Sequence, residues 1–164
     1  MKDSAEKAAA AKEAAMKAVA ARDMTRAELV EWLAKRRHSV GAIDAALLEL
    51  EAIGAVDDRR VAMVYVQRRL DEDQPARAML EAELLERGLD SDLVGSVLDA
   101  SITGRNEEKE ALELARDRVR RSRADLSPEV IRRRVFAFLA RRGYDEEVCR
   151  QAVETAADEY LGRP

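Results

Sequence analysis

The sequence predicts an all-α protein, and three observations carry that expectation. The 164 residues are dominated by Ala, Leu, Val, Glu and Arg, with only seven glycines, three prolines and 4% aromatics, a mix that suits helices better than sandwiches, barrels or disordered chains. Three segments align without gaps: TRAELVEWLAKRRHSVGAIDAALLEL from Thr25, ARAMLEAELLERGLDSDLVGSVLDAS from Ala76 and IRRRVFAFLARRGYDEEVCRQAVETA from Ile131, at offsets of 51 and 55 residues. Within each, apolar residues recur four apart, which places them on one side of a helix. The expected architecture is three tandem three-helix repeats forming an elongated, curved helical body, because stacked repeats mostly touch their neighbours. An N-terminal Ala-rich helix or tail precedes them.

Within the N-terminal segment, expected over 1–24, residues 1–22 combine high helical propensity with little apolar bulk, which Met16 and Val19 supply. They read as a frayed helix or tail, or an arm that orders on a partner. Repeat 1 is expected over 25–74. Its two antiparallel helices place Leu29 and Leu33, then Ile43 and Leu47, inward; repeat 2 (75–124) matches these with Leu80, Leu84, Val94 and Leu98, and repeat 3 (125–164) with Val135, Leu139, Cys149 and Val153. Ser39, Asp90 and Asp145 share one register and can cap the second helix. Two residues earlier, Gly88 and Gly143 suit a left-handed helix end. Arg37 occupies that place in repeat 1, where a side chain costs about 1 kcal/mol or more, so a looser turn is expected there.

The segments between these pairs read as helices that lead to the next repeat. Gly54 closes one helix and Asp57 or Asp58 caps the next, whose apolar face is read as Val61, Met63, Val64 and Tyr65. Gly104 precedes a second such helix with Ala111, Leu112, Ala115 and Val119 as its stripe, and Ser127-Pro128 then reads as N-cap and first helical residue.

The inventory leaves little room for catalysis. One His (His38) and one Cys (Cys149) cannot form a His-based metal cluster or a nucleophile pair, and no Gly-rich phosphate loop exists. Neither enzyme activity nor a cofactor is expected. Nothing resembles a membrane span or a signal peptide, and the single cysteine fits a reducing compartment, so the expected location is cytosolic.

The net charge of -4 conceals a strong asymmetry. Residues 71–113 carry four basic against thirteen acidic side chains, whereas 114–142 carry ten against three. The basic stretch holds RDRVRRSR (116–123), Arg132-Arg133-Arg134 and Arg141-Arg142. Such a run is either a solvated helix face or a docking surface for an acidic partner, and its bias towards Arg favours forked hydrogen bonds to carboxylate or phosphate.

Asp57-Asp58-Arg59, Ala62, Tyr65-Val66, Arg68 and Leu70, together with FLARRGY from Phe138 to Tyr144, resemble motifs of the RecX family of bacterial recombination regulators. The resemblance runs from about Thr25 to about Ala157. Val61 stands where the family prefers Phe, Arg37-His38 replaces a Gly-aromatic pair, and Ala78 replaces a larger aliphatic. The resemblance implies three tandem three-helix repeats. It also implies binding to the RecA recombinase filament on single-stranded DNA, with inhibition of its strand-exchange, ATPase and co-protease activities in recombination, DNA repair and the SOS response. A monomer is expected, with weak direct DNA binding at most; a sequence-independent DNA-binding module is the alternative. Candidate partner-binding residues are Asp58, Arg59, Tyr65, Arg68 and Arg69 on the connecting helix, and Arg132, Arg133, Arg134, Arg141 and Arg142 as the chief surface. Arg68 and Arg69 are expected to point outward. Tyr65 and the aromatics Trp32 and Phe138, which share one repeat position, are read first as core, and His38 as a turn residue.

Overall fold

A computed structural model describes residues 2–123 and 125–161. Those residues form α1 (Lys2–Ala21), α2 (Arg26–Lys35), α3 (Val40–Ala52), α4 (Asp58–Glu72), α5 (Arg77–Glu86), α6 (Ser91–Ser101), α7 (Glu107–Arg120), α8 (Pro128–Ala140) and α9 (Glu146–Leu161), with no strand among them. The chain divides into two compact units. One comprises residues up to Gln67 together with Glu81–Ser101, and the other comprises Arg68–Leu80 together with residues from Ile102 onward.

The periodicity that defined the repeats is the packing. Leu29, Leu33, Ile43, Leu47, Leu80, Leu84, Val94, Leu98, Val135, Leu139, Cys149 and Val153 are all buried. Residues four apart on a helix project to one side, and that side is the only place where each repeat can remove leucine and valine from water, at roughly 1.5–3 kcal/mol per side chain.

α1 is the expected Ala-rich helix, but as a correction to the sequence reading it is packed rather than frayed or a tail. Ala11, Ala15 and Ala18, spaced by four and three, are buried along α3. Ala11 meets Ala42 and Ala46, and Lys12 is paired with Glu49 at 2.6 Å. Methyl side chains let two helix backbones approach closely, so apolar bulk is the wrong criterion for this face. The second unit repeats the device, with Ala111 and Ala115 of α7 in one core with Ala152 and Ala156 of α9.

The turns between paired helices also differ from expectation in one place. Gly88 and Gly143 have φ of 78° and 80° as expected, but Arg37 adopts φ 65° as well, so the turn is not loosened. His38 N–H reaches the Leu33 carbonyl at 3.3 Å, as Leu89 N–H reaches that of Leu84. The helix-end hydrogen bonds and the burial of Leu33 outweigh a strain of about 1–2 kcal/mol for a side chain in the left-handed region. Asp90 caps α6 through the Asp92 and Leu93 amides, and Asp145 accepts the Glu147 amide. Ser39 makes no such bond. Ser127 caps α8 ahead of Pro128, as expected.

On α4 the buried face is Val61, Ala62 and Val66, with Tyr65 half-buried beside it, while Met63 and Val64 are about half exposed. Of the expected face, Val61 is buried and Tyr65 half-buried as read, whereas Met63 and Val64 lie outside it and Ala62 and Val66 lie within. A run of apolar residues without polar interruption does not reveal which of them faces inward.

Candidate functional site

The repeats are held by two matched sets of polar contacts, and two arginines that the sequence offered as partner-facing, Arg69 and Arg142, are engaged in them. In the first unit, Arg87 gives Nε–H to Glu28 Oε1 at 2.8 Å and Nη2–H to Oε2 at 3.0 Å, a forked pair. It also donates to the Asp23 carbonyl at 3.3 Å and lies over the Tyr65 ring at 5.1 Å. Thr25, fully buried, accepts the Glu28 amide and donates its hydroxyl proton to the Arg87 carbonyl at 2.8 Å. Burial alone would raise the Glu28 pKa, but the hydrogen bonds from Arg87 and the Thr25 amide outweigh it and hold the carboxyl below its ordinary value.

In the second unit, Arg142 donates Nε–H to the Asp73 carbonyl at 2.7 Å and Nη2–H to Asp73 Oδ1 at 3.3 Å. Its guanidinium stacks 3.8 Å from the centre of the Phe138 ring. Partial desolvation lowers the Arg142 pKa, and Asp73 opposes that shift. Beside it Tyr144, buried, donates to the Gln74 carbonyl at 2.8 Å, and burial pushes its phenol up to about 12. Arg142 therefore serves as an internal brace in this structure. Arg69 is corrected: it points inward, paired with Asp73 and close to the Met79 sulfur at 3.9 Å.

A second matched pair ties helix starts together. Asp58 Oδ1 accepts the Arg26 amide at 2.7 Å, and Glu107 Oε1 accepts the Arg77 amide at 2.6 Å. Each carboxylate thus satisfies one of the orphan amides that begin α2 and α5. Burial pushes the Asp58 carboxyl up from its ordinary value, with the Arg26 amide opposing. Asp57, not Asp58, caps α4 through the Arg60 amide at 3.0 Å. Arg59 is exposed and donates to Ser96 Oγ at 3.2 Å. Tyr65 gives its hydroxyl proton to Glu83 at 2.9 Å.

Of the α8 arginines, Arg132 lies 3.9 Å from Asp158, a long ion pair at an intermediate exposure. Arg133, Arg134 and Arg141 are exposed and make no side-chain hydrogen bond or ion pair with the other described residues. Arg68 is exposed as expected. Trp32 and Phe138 are half-buried against their cores, each beneath an arginine, with Arg36 only 3.4 Å above Trp32. His38 is a half-buried turn residue.

The residues the sequence reading passed over are Arg36, Arg87, Thr25 and Asp73. Arg36, Arg87 and Arg142 obey the same offsets of 51 and 55 as the core leucines, so a tally of matching polar positions would have found them. Their acceptors could not be found this way, because they lie 59 and 69 residues away in sequence. Among the described residues no group of His, Cys, Asp and Glu is placed to hold a metal ion, and no helix is long and apolar enough to cross a membrane. Cys149 is buried, with its thiol 3.5 Å from the Tyr144 carbonyl, and burial raises its pKa, so it is a poor nucleophile.

Helices braced in this way, with further guanidinium groups exposed on α8, define an all-helical protein of three-helix units. A family model described as the third three-helix domain of RecX matches residues 106–153. The Regulatory protein RecX of Mycobacterium ulcerans is 37% identical over 145 residues, covering 87% of this chain and 83% of that protein. That of Mycolicibacterium smegmatis is 32% identical over 146 residues, covering 87% and 77%. Crystal structures of RecX share the fold: one from Lactobacillus salivarius has a TM-score of 0.75 at 16% identity, covering 93% of this chain and 97% of that one. A second, titled regulatory protein RecX, has a TM-score of 0.73 at 18% identity, covering 93% and 74%. The chain belongs to the RecX family of regulatory proteins.

Proposed function

We propose that this protein binds the RecA recombinase filament on single-stranded DNA and restrains its strand-exchange, ATPase and co-protease activities. The observation that carries the reading is the trio Arg133, Arg134 and Arg141 on and just after α8. In a chain with more acids than bases, these three stay exposed without an internal acid. Arg134 and Arg141 are seven residues apart, about 10 Å along a helix and on one side of it. Guanidinium groups left solvated on a braced helix meet carboxylates or phosphates with little loss of conformational freedom. Arg59 and Arg68, both exposed on α4, would each add contacts of their own, and several modest contacts add up through avidity. Within the second unit, Arg142 braces the turn that follows α8 by its bonds to Asp73 and its stacking on Phe138.

The repeat boundaries belong to the same proposal and fall one helix earlier than the sequence suggested, grouping α1–α3, α4–α6 and α7–α9. The Ala-lined contacts of α1 with α3 and of α7 with α9 support this grouping, as does the family match over 106–153.

Titration of the purified protein into a filament-dependent ATP hydrolysis assay tests the proposal. Near-stoichiometric amounts should suppress turnover, and Arg133→Glu/Arg134→Glu should weaken suppression at least tenfold. Unchanged hydrolysis over a wide titration would refute filament regulation. Tight, steeply salt-dependent binding to naked DNA without recombinase would instead make the protein a sequence-independent DNA-binding module.

A further inference from the structure

Arg36, Arg87 and Arg142 stand at one position of the three aligned segments, just after α2, α5 and α8. Two of them are forked onto an acid and a main-chain carbonyl. Arg87 directs Nε and Nη2 to the Glu28 carboxylate, and Nη2 also reaches the Asp23 carbonyl. Arg142 directs Nε to the Asp73 carbonyl at 2.7 Å and Nη2 to the Asp73 carboxylate at 3.3 Å. In both copies the acceptors are one carboxylate and the backbone carbonyl of an aspartate.

Arg36 is held in the pose of Arg142. Each guanidinium stacks on the aromatic ring four residues earlier, 3.4 Å from the centre of Trp32 and 3.8 Å from that of Phe138. Each also gives an Nη1–H to the carbonyl of that same aromatic residue, at 3.3 Å and 3.4 Å. The stack and this bond fix the plane of the guanidinium and leave Nε–H and Nη2–H side by side on its other edge. In Arg142 that edge carries Asp73. In Arg36 no described residue accepts from it, and the side chain is exposed. Glu31, next to Trp32 in sequence, is paired with Lys35 at 2.6 Å.

The residue after each arginine decides what can approach. A Cβ on Gly88 would lie 2.5 Å from Ala27 Cβ, and one on Gly143 would lie 2.7 Å from Met79 Cβ, so those two turns press directly on α2 and α5. Arg37 takes that place after Arg36, exposed, with φ 65° against 78° and 80°. Its side chain excludes a helix packed as closely as α2 and α5 are, and it adds a second cation beside the fork. What fits is a slender acidic segment, an extended stretch of polypeptide that brings a carboxylate together with main-chain carbonyls. A nucleic acid strand offers phosphate oxygens but not that combination.

We infer that the Arg36 fork, backed by Trp32 and followed by Arg37, is a docking point for an extended acidic segment of a partner protein. A guanidinium already stacked and bonded loses little freedom when a carboxylate arrives. The site uses none of the α8 arginines, and the inference does not depend on the recombinase reading.

Trp32 is the single tryptophan of the chain, so its emission reads this site. The test is a titration of the full chain, at fixed ionic strength, with a short peptide in which Asp alternates with Gly. Trp32 emission should change to saturation, with a midpoint of about 10–1000 µM. The same peptide with Asn in place of Asp should leave the emission unchanged. Arg36→Lys, which keeps the charge but cannot present two parallel donors, should raise the midpoint by about fivefold or more. Arg133→Glu/Arg134→Glu should leave it within about twofold of wild type. Circular dichroism establishes that each variant is folded. No saturable change in wild type overturns the inference, as does an unaltered midpoint in Arg36→Lys or an equal response to the Asn peptide. An oligothymidylate that acts on Trp32 emission at lower concentration than the Asp peptide also overturns it, by making nucleic acid the ligand. So does emission that shifts with protein concentration alone, which would put a second copy of this chain in the fork.

Discussion

At the left-handed position of the three turns, a single side chain decides between strain and fit. Arg37 and Gly88 occupy equivalent places with nearly the same φ, yet their surroundings are opposite: a Cβ at Gly88 collides with Ala27, while Arg37 is exposed. Arg37→Gly should raise stability by roughly 0.5–1 kcal/mol, because relief of strain exceeds the extra freedom given to the unfolded chain. Gly88→Ala should lower it by about 2 kcal/mol or more, since it adds both strain and overlap. Chemical denaturation measures both; equal effects of one sign would contradict the geometry. These two residues also mark what is legible in a sequence. The alignment identified the position, but only the placement of Ala27, 61 residues away, shows which copy needs glycine.

α2 is anchored by Asp58 of α4 and by Arg87 just after α5, and its acid–base pair has a defined pH signature. Glu28 is held below the ordinary carboxylate value of 4.5, so the stability it contributes is fully present above about pH 4.5 and is lost as pH falls through the folded-state value. Arg87→Met removes the guanidinium hydrogen bonds and charge and leaves the Thr25 amide to oppose burial, so the downward shift of Glu28 shrinks. Thermal melts between about pH 3 and pH 6 should therefore show a shallower acid loss for Arg87→Met than for wild type, from a lower starting stability. A steeper acid loss would remove Arg87 as the cause. The helices themselves were legible from periodicity and capping residues, apart from the inward face of α4 and the packing of α1. Those two failed for one reason: alanine and valine say little about direction until a neighbouring helix is in place.

The arginines of this protein fall into two populations that composition cannot separate. Arg142, Arg87 and Arg69 are part-buried and bonded to carbonyls, carboxylates or rings, whereas Arg133, Arg134 and Arg141 are solvated. Arg142→Ala should lower stability by about 1–3 kcal/mol, since it strips hydrogen bonds from Asp73 and a cation from the Phe138 face. Arg133→Glu/Arg134→Glu should leave the unfolding midpoint within about 2 °C of wild type while it weakens filament regulation. Differential scanning calorimetry beside the ATPase titration distinguishes the two classes. Equal destabilisation by both would mean that the α8 surface is structural.

From the chain alone came the all-helical class, the helix ends, the threefold recurrence of the core and the concentration of positive charge in residues 114–142. Those properties depend on spacing and local chemistry, which a linear string records. Which arginine is solvated and which is a brace, whether α1 packs, and where a turn excludes a Cβ were decided by tertiary structure. Each depends on atoms that folding brings from tens of residues away, and burial and hydrogen bonding are properties of that assembled neighbourhood.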